Sequence, residues 1–290
     1  MQSSRRVFLA TVAGGVATFG CGSTAPEDDG VKRYVRYDQG GTVAFGELRG
    51  ETIHEINGDL FGSRELSGKT VPMSGVKLLY PIQPKTVLAL AGNYRSHIGN
   101  NPVPEHPEPF IKPITCLQNP GDPIILPADS RDVHYECEFV IVIGREARRV
   151  SVADAPNYIL GYTAGNDVSE RNWQNGSLDG PENKDLQWWR AKGSDTFGPM
   201  GPTIAVGLDY AKSKIQTRLN GEVKQEQVLS DLIHGPAETV SFISQAVTLK
   251  PGDVIFTGTP GSTSAMKAGD VVEVEIDGIG ILRNPVVAAS

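Results

Sequence analysis

Cysteine is scarce in this chain of 290 residues: there are three, and only Cys116 and Cys137 lie beyond the first 25 positions. A disulfide would have to join those two, nothing in the sequence indicates one, and two packed thiols are the expectation. Clusters of lysine and arginine are missing downstream of the N-terminus, and the net charge is -7, which argues against a nucleic-acid partner. After the first 25 residues, no segment approaches the roughly 18 apolar residues of a membrane-spanning helix. The chain does have glycine in quantity, 33 residues, and proline, 20 residues, set between short β-branched runs. That pattern favours a β-rich fold with many turns. With 39% hydrophobic residues the chain can bury a sizeable core, as one large domain or a main domain with a small companion.

The N-terminus reads as an address. Ser4-Arg5-Arg6-Val7-Phe8-Leu9-Ala10 precedes a short apolar stretch rich in Gly and Ala, so residues 1–25 resemble a twin-arginine export signal of bacteria. Cys21 follows Thr18-Phe19-Gly20, a loose match to a lipoprotein box in which Thr18 stands where an aliphatic residue is usual. The expected location is therefore periplasmic or that of a membrane-anchored lipoprotein, with any membrane contact made only through a lipid on Cys21. Residues 26–30 read as an acidic tether. Residues 31–80 read as a small antiparallel β domain carrying no clear chemistry, and Pro81-Ile82-Gln83-Pro84 marks the start of the main domain, 81–290.

Within that domain the organising stretch is 133–144, expected as one strand that begins polar and ends apolar. Alternate side chains of a strand share a face, so Glu136 and Glu138 project together, with His134 on the same side and Cys137 turned away into the core. Paired carboxylates repel unless a proton or cation separates them, and hard oxygen ligands suit Mg2+, Mn2+ or Ca2+. The apolar run 139–143 reads as a strand buried on both faces, so its acidic end opens into a site inside the fold. Glu273 and Glu275 repeat the Glu-x-Glu spacing on an alternating strand and read as a solvated face. Val87-Leu88-Ala89-Leu90-Ala91 runs into a glycine turn and then a short polar segment ending in His97, a good place to present a catalytic side chain. Asp167 falls where a strand gives way to a helix, and Lys192 in an irregular loop able to meet an anionic substrate.

Gly92-Asn93-Tyr94 with His97, Phe110-Ile111-Lys112-Pro113, Tyr135-Glu136-Cys137-Glu138, Gly161-Tyr162-Thr163 with Asn166-Asp167-Val168-Ser169, Lys192 with Asp195-Thr196, and Leu249-Lys250-Pro251-Gly252-Asp253 with Thr257-Gly258-Thr259-Pro260 occur in that order. Together they resemble the fumarylacetoacetate hydrolase family over nearly all of the chain after the export segment. The resemblance implies a β-rich α+β fold, a mixed β-sandwich roll with a small N-terminal β domain, a homodimer and a divalent metal, most often Mg2+. It implies Glu136, Glu138 and Asp167 as metal ligands, His97 and Lys192 as catalytic residues, Gln174 and Thr259 as substrate contacts, and Thr196 close behind the metal.

The reaction so implied is metal-dependent hydrolysis of a C–C bond in a small 2-oxo or β-diketo acid, with the metal and Lys192 stabilising an enolate. In hydrolytic members the histidine pairs with a glutamate three residues later to activate water. Here that place holds Asn100, which cannot accept the proton. Glu105, in the same loop, is a substitute that nothing in the sequence places near His97. Decarboxylation or enol–keto isomerisation on the same site is the alternative, since it needs less of the dyad. An exported protein that captures organic acids without turnover is the alternative of another class.

Overall fold

The computed structural model describes residues 29–289. The export segment 1–25, Cys21 and the tether up to residue 28 lie outside the described residues. Asp29, at the tether's end, accepts a hydrogen bond from the Arg33 side chain. No helix among the described residues is long and apolar enough to cross a membrane.

The fold is strand-rich, with mixed sheets. The main sheet runs, edge to edge, through Arg64–Pro72, Thr52–Gly58, Thr42–Arg49, Lys32–Gln39, Gly198–Val206, Ile159–Asn166, Cys137–Ile143, Val254–Phe256, Val87–Ala91 and Glu108–Lys112. Most neighbours are antiparallel, but Val254–Phe256 and Val87–Ala91 run parallel. A five-stranded sheet orders Glu222–Val228, Lys214–Leu219, Val271–Ile276, Gly280–Ala288 and Ile124–Leu126. The N-terminal meander is an extension of the main sheet, because Lys32–Gln39 pairs with Gly198–Val206 through Lys32 and Val206, Arg33 and Ala205, and Tyr34 and Ile204.

The strand Cys137–Ile143 is wholly buried and is the axis of the core. Val140 and Val142 pack with Tyr34 and Ile56 of the meander and with Met200 and Phe256. On the opposite face, Phe139 packs with Ile215, Val274 and Leu282 of the five-stranded sheet. Farther along, Ile141 and Ile143 meet Val240 and Ile243 of the helix Pro236–Ala246. By the two-residue period, Glu138 shares the face of Val140 and lies just past the end of that apolar core. Cys137 joins the opposite face, and both Cys137 and Cys116 are buried free thiols.

The expectation of one strand over 133–144 needs correcting. Pairing is interrupted at Tyr135 and Glu136, leaving a two-residue strand, Val133–His134, against Ser169–Glu170. At the break the Glu136 N–H donates to the side chain of Asn166 at 2.9 Å, and the Glu136 carbonyl accepts from the Asp167 N–H at 2.9 Å. His134 consequently joins a different set of partners, Asp132 and Thr263. Lys192 also departs from expectation: it sits on a five-residue helix, Trp189–Gly193, with its backbone N–H bonded to the Trp188 carbonyl. Asp167 precedes a strand rather than a helix, and the helix Arg171–Asn175 is capped by Glu170, whose carboxylate accepts from the Trp173 N–H.

Candidate functional site

The strand ends described above converge on Glu136, Glu138 and Asp167, all buried, with one ligand oxygen from each lying within 4.8 Å of the others. Three cations surround them. Lys192 Nζ donates to Glu136 Oε2 at 2.7 Å, Asp167 Oδ2 at 2.6 Å and Ser169 Oγ at 2.8 Å, which commits all three of its protons. Lys112, at the end of the edge strand Glu108–Lys112, donates to Asp167 Oδ1 at 2.5 Å and to the carbonyls of Lys192 and Phe197. Arg171 binds Glu136 Oε1, Gln174 Oε1 and Thr263 Oγ1.

The three carboxyls are not equivalent. Burial alone would raise Glu136, but Arg171 and Lys192 hold it below the ordinary carboxylate range. Lys192 is penalised by burial and is nevertheless held up, charged, by Asp167 and Glu136. Among the described residues, Glu138 has no cation in contact: its Oε2 accepts only from the Gly258 N–H at 2.7 Å, and its Oε1, buried, has no partner. Burial, then the charges of Asp167 and Glu136, push it well above the usual range. A buried acceptor left bare costs about 1–3 kcal/mol, more when charged. A hard divalent cation ligated by these three carboxylates would satisfy that oxygen, so the residues present fit such an ion.

Beside the carboxylates lies a cavity of about 100 Å³ lined by Leu90, Gly92, His97, Glu136, Arg171, Gln174, Trp188, Lys192 and Thr259, among others. His97, Gln174, Lys192 and Thr259, singled out in the sequence, thus meet at one pocket with Glu136. His97 sits on the helix Arg95–Ile98, and its Nδ1 bonds the Gly261 carbonyl at 2.7 Å. Since a carbonyl only accepts, Nδ1 carries a proton, and no hydrogen bond reaches Nε2 among the described residues. Asn100 and Glu105 are both exposed and neither bonds His97. The hydrogen-bond partner of the His97 ring is therefore a backbone carbonyl and not a carboxylate. Gln174 gives its oxygen to Arg171, leaving its amide hydrogens for the cavity.

Thr196 makes no hydrogen bond to this group among the described residues; its hydroxyl accepts from the Ile125 N–H at 2.9 Å. Glu273 and Glu275 are elsewhere, both paired with Arg218 across the strands. The sequence reading assigned no role to Arg171 or Lys112. The available signal was charge: three buried acids require buried cations nearby, and Lys112 lies inside one matching motif while Arg171 stands two residues past the end of another, at Ser169.

Comparison with known proteins agrees with the geometry. Residues 86–287 match the family described as fumarylacetoacetate (FAA) hydrolase C-terminal, and residues 32–81 match the one described as Rv2993c-like, N-terminal. Protein Rv2993c of Mycobacterium tuberculosis is 43% identical, with 84% of this chain and 94% of that one covered. The mitochondrial oxaloacetate tautomerase FAHD2A of Bos taurus is 36% identical, over 75% of this chain and 71% of its own. Among solved structures, a 5-carboxymethyl-2-hydroxymuconate delta-isomerase from Mycobacterium smegmatis superposes with a TM-score of 0.81 at 41% identity, covering 89% of this chain and all, 100%, of that one.

Proposed function

The chain belongs to the fumarylacetoacetate hydrolase family, and from that premise we propose that it is a metal-dependent enol–keto tautomerase or isomerase of a small 2-oxo acid. The observation that carries this reading is the partner of His97. With Nδ1 tied to the Gly261 carbonyl, Nε2 of the neutral ring accepts a proton from the carbon beside the 2-oxo group and returns it to the enol oxygen, or the reverse. That exchange makes the imidazolium only briefly. Hydrolysis needs His97 to activate water for attack on a carbonyl, and the carboxylate that would support it is missing, Asn100 being exposed and unattached to the ring.

The remaining residues bind and orient. The free amide hydrogens of Gln174 and the hydroxyl of Thr259 line the cavity as donors for substrate oxygens. Lys192 has no proton left to offer, so it acts through its charge, favouring an anion in the pocket. Trp188 and Leu90 close the walls and limit water. When bound at Glu136, Glu138 and Asp167, the divalent cation, proposed to be Mg2+, with Mn2+ or Ca2+ as substitutes, supplies positive charge toward a developing enolate. The same proposal takes the protein to be exported and to work as a homodimer.

The test is to follow enol-to-keto conversion of oxaloacetate spectrophotometrically with the full chain and Mg2+, alongside cleavage of acetylpyruvate. Accelerated tautomerisation that is lost in His97→Ala and in Glu138→Ala supports the reading. Cleavage of acetylpyruvate without tautomerisation would replace it with the hydrolase reading, and metal-dependent affinity without product would replace it with an organic-acid binder.

A further inference from the structure

The edge strand Glu222–Val228 is exposed or half-buried except at Gln225, which is 3% exposed and points into the fold beneath the pocket. Its amide meets four groups. Oε1 accepts from Thr217 Oγ1 at 2.7 Å and from the Cys137 N–H at 3.3 Å. Nε2 donates to Thr259 Oγ1 at 2.9 Å and to the Pro260 carbonyl at 2.5 Å. The orientation is unique: a backbone N–H must find the oxygen, and a backbone carbonyl must find the nitrogen. No capacity is left over for a different arrangement.

The consequence reaches both sides of the pocket. With a donor fixed on its oxygen, Thr259 must give its own proton elsewhere. The Cys137 thiol beside it is a weak acceptor, and a carboxylate or carbonyl oxygen in the cavity is a far better one. Two residues on, the Gly261 carbonyl holds His97 Nδ1, while the Gly261 N–H donates to Ser96 Oγ at 3.0 Å. The same loop is tied at its start, where the Gly258 N–H donates to Glu138 Oε2. Gln225 thus clamps the middle of a short segment whose three successive pieces serve a metal-ligand carboxylate, a substrate donor and the imidazole.

We infer that Gln225 is a positioning residue for the reaction: from the second sheet it fixes the 259–261 loop, so that Thr259 presents a hydroxyl proton to the substrate and Gly261 presents its carbonyl to His97. The inference rests on the proposed function, which gives Thr259 and His97 their roles and sets the probe, a 2-oxo acid mimic.

The test uses the full chain with Mg2+, titrated with oxalate, and compares Gln225→Leu, Thr259→Val and the double variant, each checked by thermal melting. Gln225→Leu should lose on the order of tenfold in oxalate affinity, and the double variant should bind no more weakly than Thr259→Val alone, because the glutamine acts through that hydroxyl. Nitrogen-15 spectra should show the His97 ring as the Nδ1–H tautomer in the unsubstituted protein and a mixture of tautomers in Gln225→Leu. Additive losses, or an unchanged His97 tautomer in a folded Gln225→Leu, would overturn the inference. Should Gln225→Leu not fold, the unsubstituted protein carries the test: the Gln225 side-chain amide protons should exchange slowly with solvent, and exchange as fast as that of an exposed glutamine would overturn it. Absence of oxalate binding by the unsubstituted protein would speak against the proposed function, whereas the His97 tautomer reads the clamp by itself.

Discussion

At the scale of single residues, the site is a balance of buried charge. Lys112 is wholly inside the protein and shares Asp167 with Lys192. Lys112→Met would keep the volume and remove the charge, leaving Asp167 Oδ1 and two backbone carbonyls without a donor. Breaking a buried pair in this way costs roughly 3–5 kcal/mol, which urea denaturation of the variant and the unsubstituted chain would measure. Glu138 predicts the opposite sign. Of the three carboxyls it alone lacks a cationic partner among the described residues, so Glu138→Gln should leave the metal-free protein as stable as before or more so, while abolishing most of the rise in melting temperature that Mg2+ produces. Melting curves with EDTA and with excess Mg2+ separate the two effects; a metal-free variant markedly less stable than its parent would contradict the charge argument. The carboxylates and His97 were legible in the sequence because their spacing along strands and turns is local. Arg171 and Lys112 were not, because what gives them meaning is contact with Glu136 and Asp167, 35 and 55 residues away.

At the scale of elements, the apolar run 139–143 was legible as a strand buried on both faces because it is short and rich in β-branched residues, which favours a strand over a buried helix segment. The break at Tyr135 and Glu136 was hidden. Alternation continues through it in the sequence, and what interrupts the ladder is the Asn166 side chain replacing a backbone partner. The helix carrying Lys192 was hidden for another reason: five residues are too few to show a 3.6-residue period. Packing between these elements makes a separate prediction at Gly165, which pairs with Glu138 in the neighbouring strand. A methyl there would stand 2.4 Å from Phe256 Cε1 and 2.7 Å from Val140 Cγ2, both in the core and neither free to swing aside. Gly165→Ala should therefore cost roughly 1–3 kcal/mol by overpacking and should weaken Mg2+ binding by shifting Glu138. Chemical denaturation and calorimetric Mg2+ titration would check it, and a variant with unchanged stability would refute the packing argument.

At the scale of the whole molecule, the boundary drawn at Pro81 falls between two family matches, residues 32–81 and 86–287, and one sheet runs across it. Composition changes there and a separate family match ends there, at residue 81. Yet Lys32–Gln39 lies inside the main sheet, with the meander on one side and Gly198–Val206 on the other. Side chains tell the same story: Tyr34, Ile56 and Leu60 of the first part share one apolar cluster with Val87, Val140, Met200 and Ile204 of the second. Removing the first part would strip that cluster and expose the hydrogen-bonding edge of Gly198–Val206, a template for aggregation. Calorimetry of the full chain should accordingly give a single unfolding transition, and a chain beginning at residue 82 should fail to melt cooperatively and should elute as aggregate. Two transitions, or a soluble truncated chain with its own sharp melt, would refute the prediction of one cooperative unit. The consequence extends to the site. Val140 lies between the meander's cluster and Glu138, two residues from the carboxylate, so loosening the first part of the chain loosens the strand that holds the acids. Destabilising substitutions at Tyr34 or Ile56 are therefore expected to lower Mg2+ affinity, although neither residue lines the pocket.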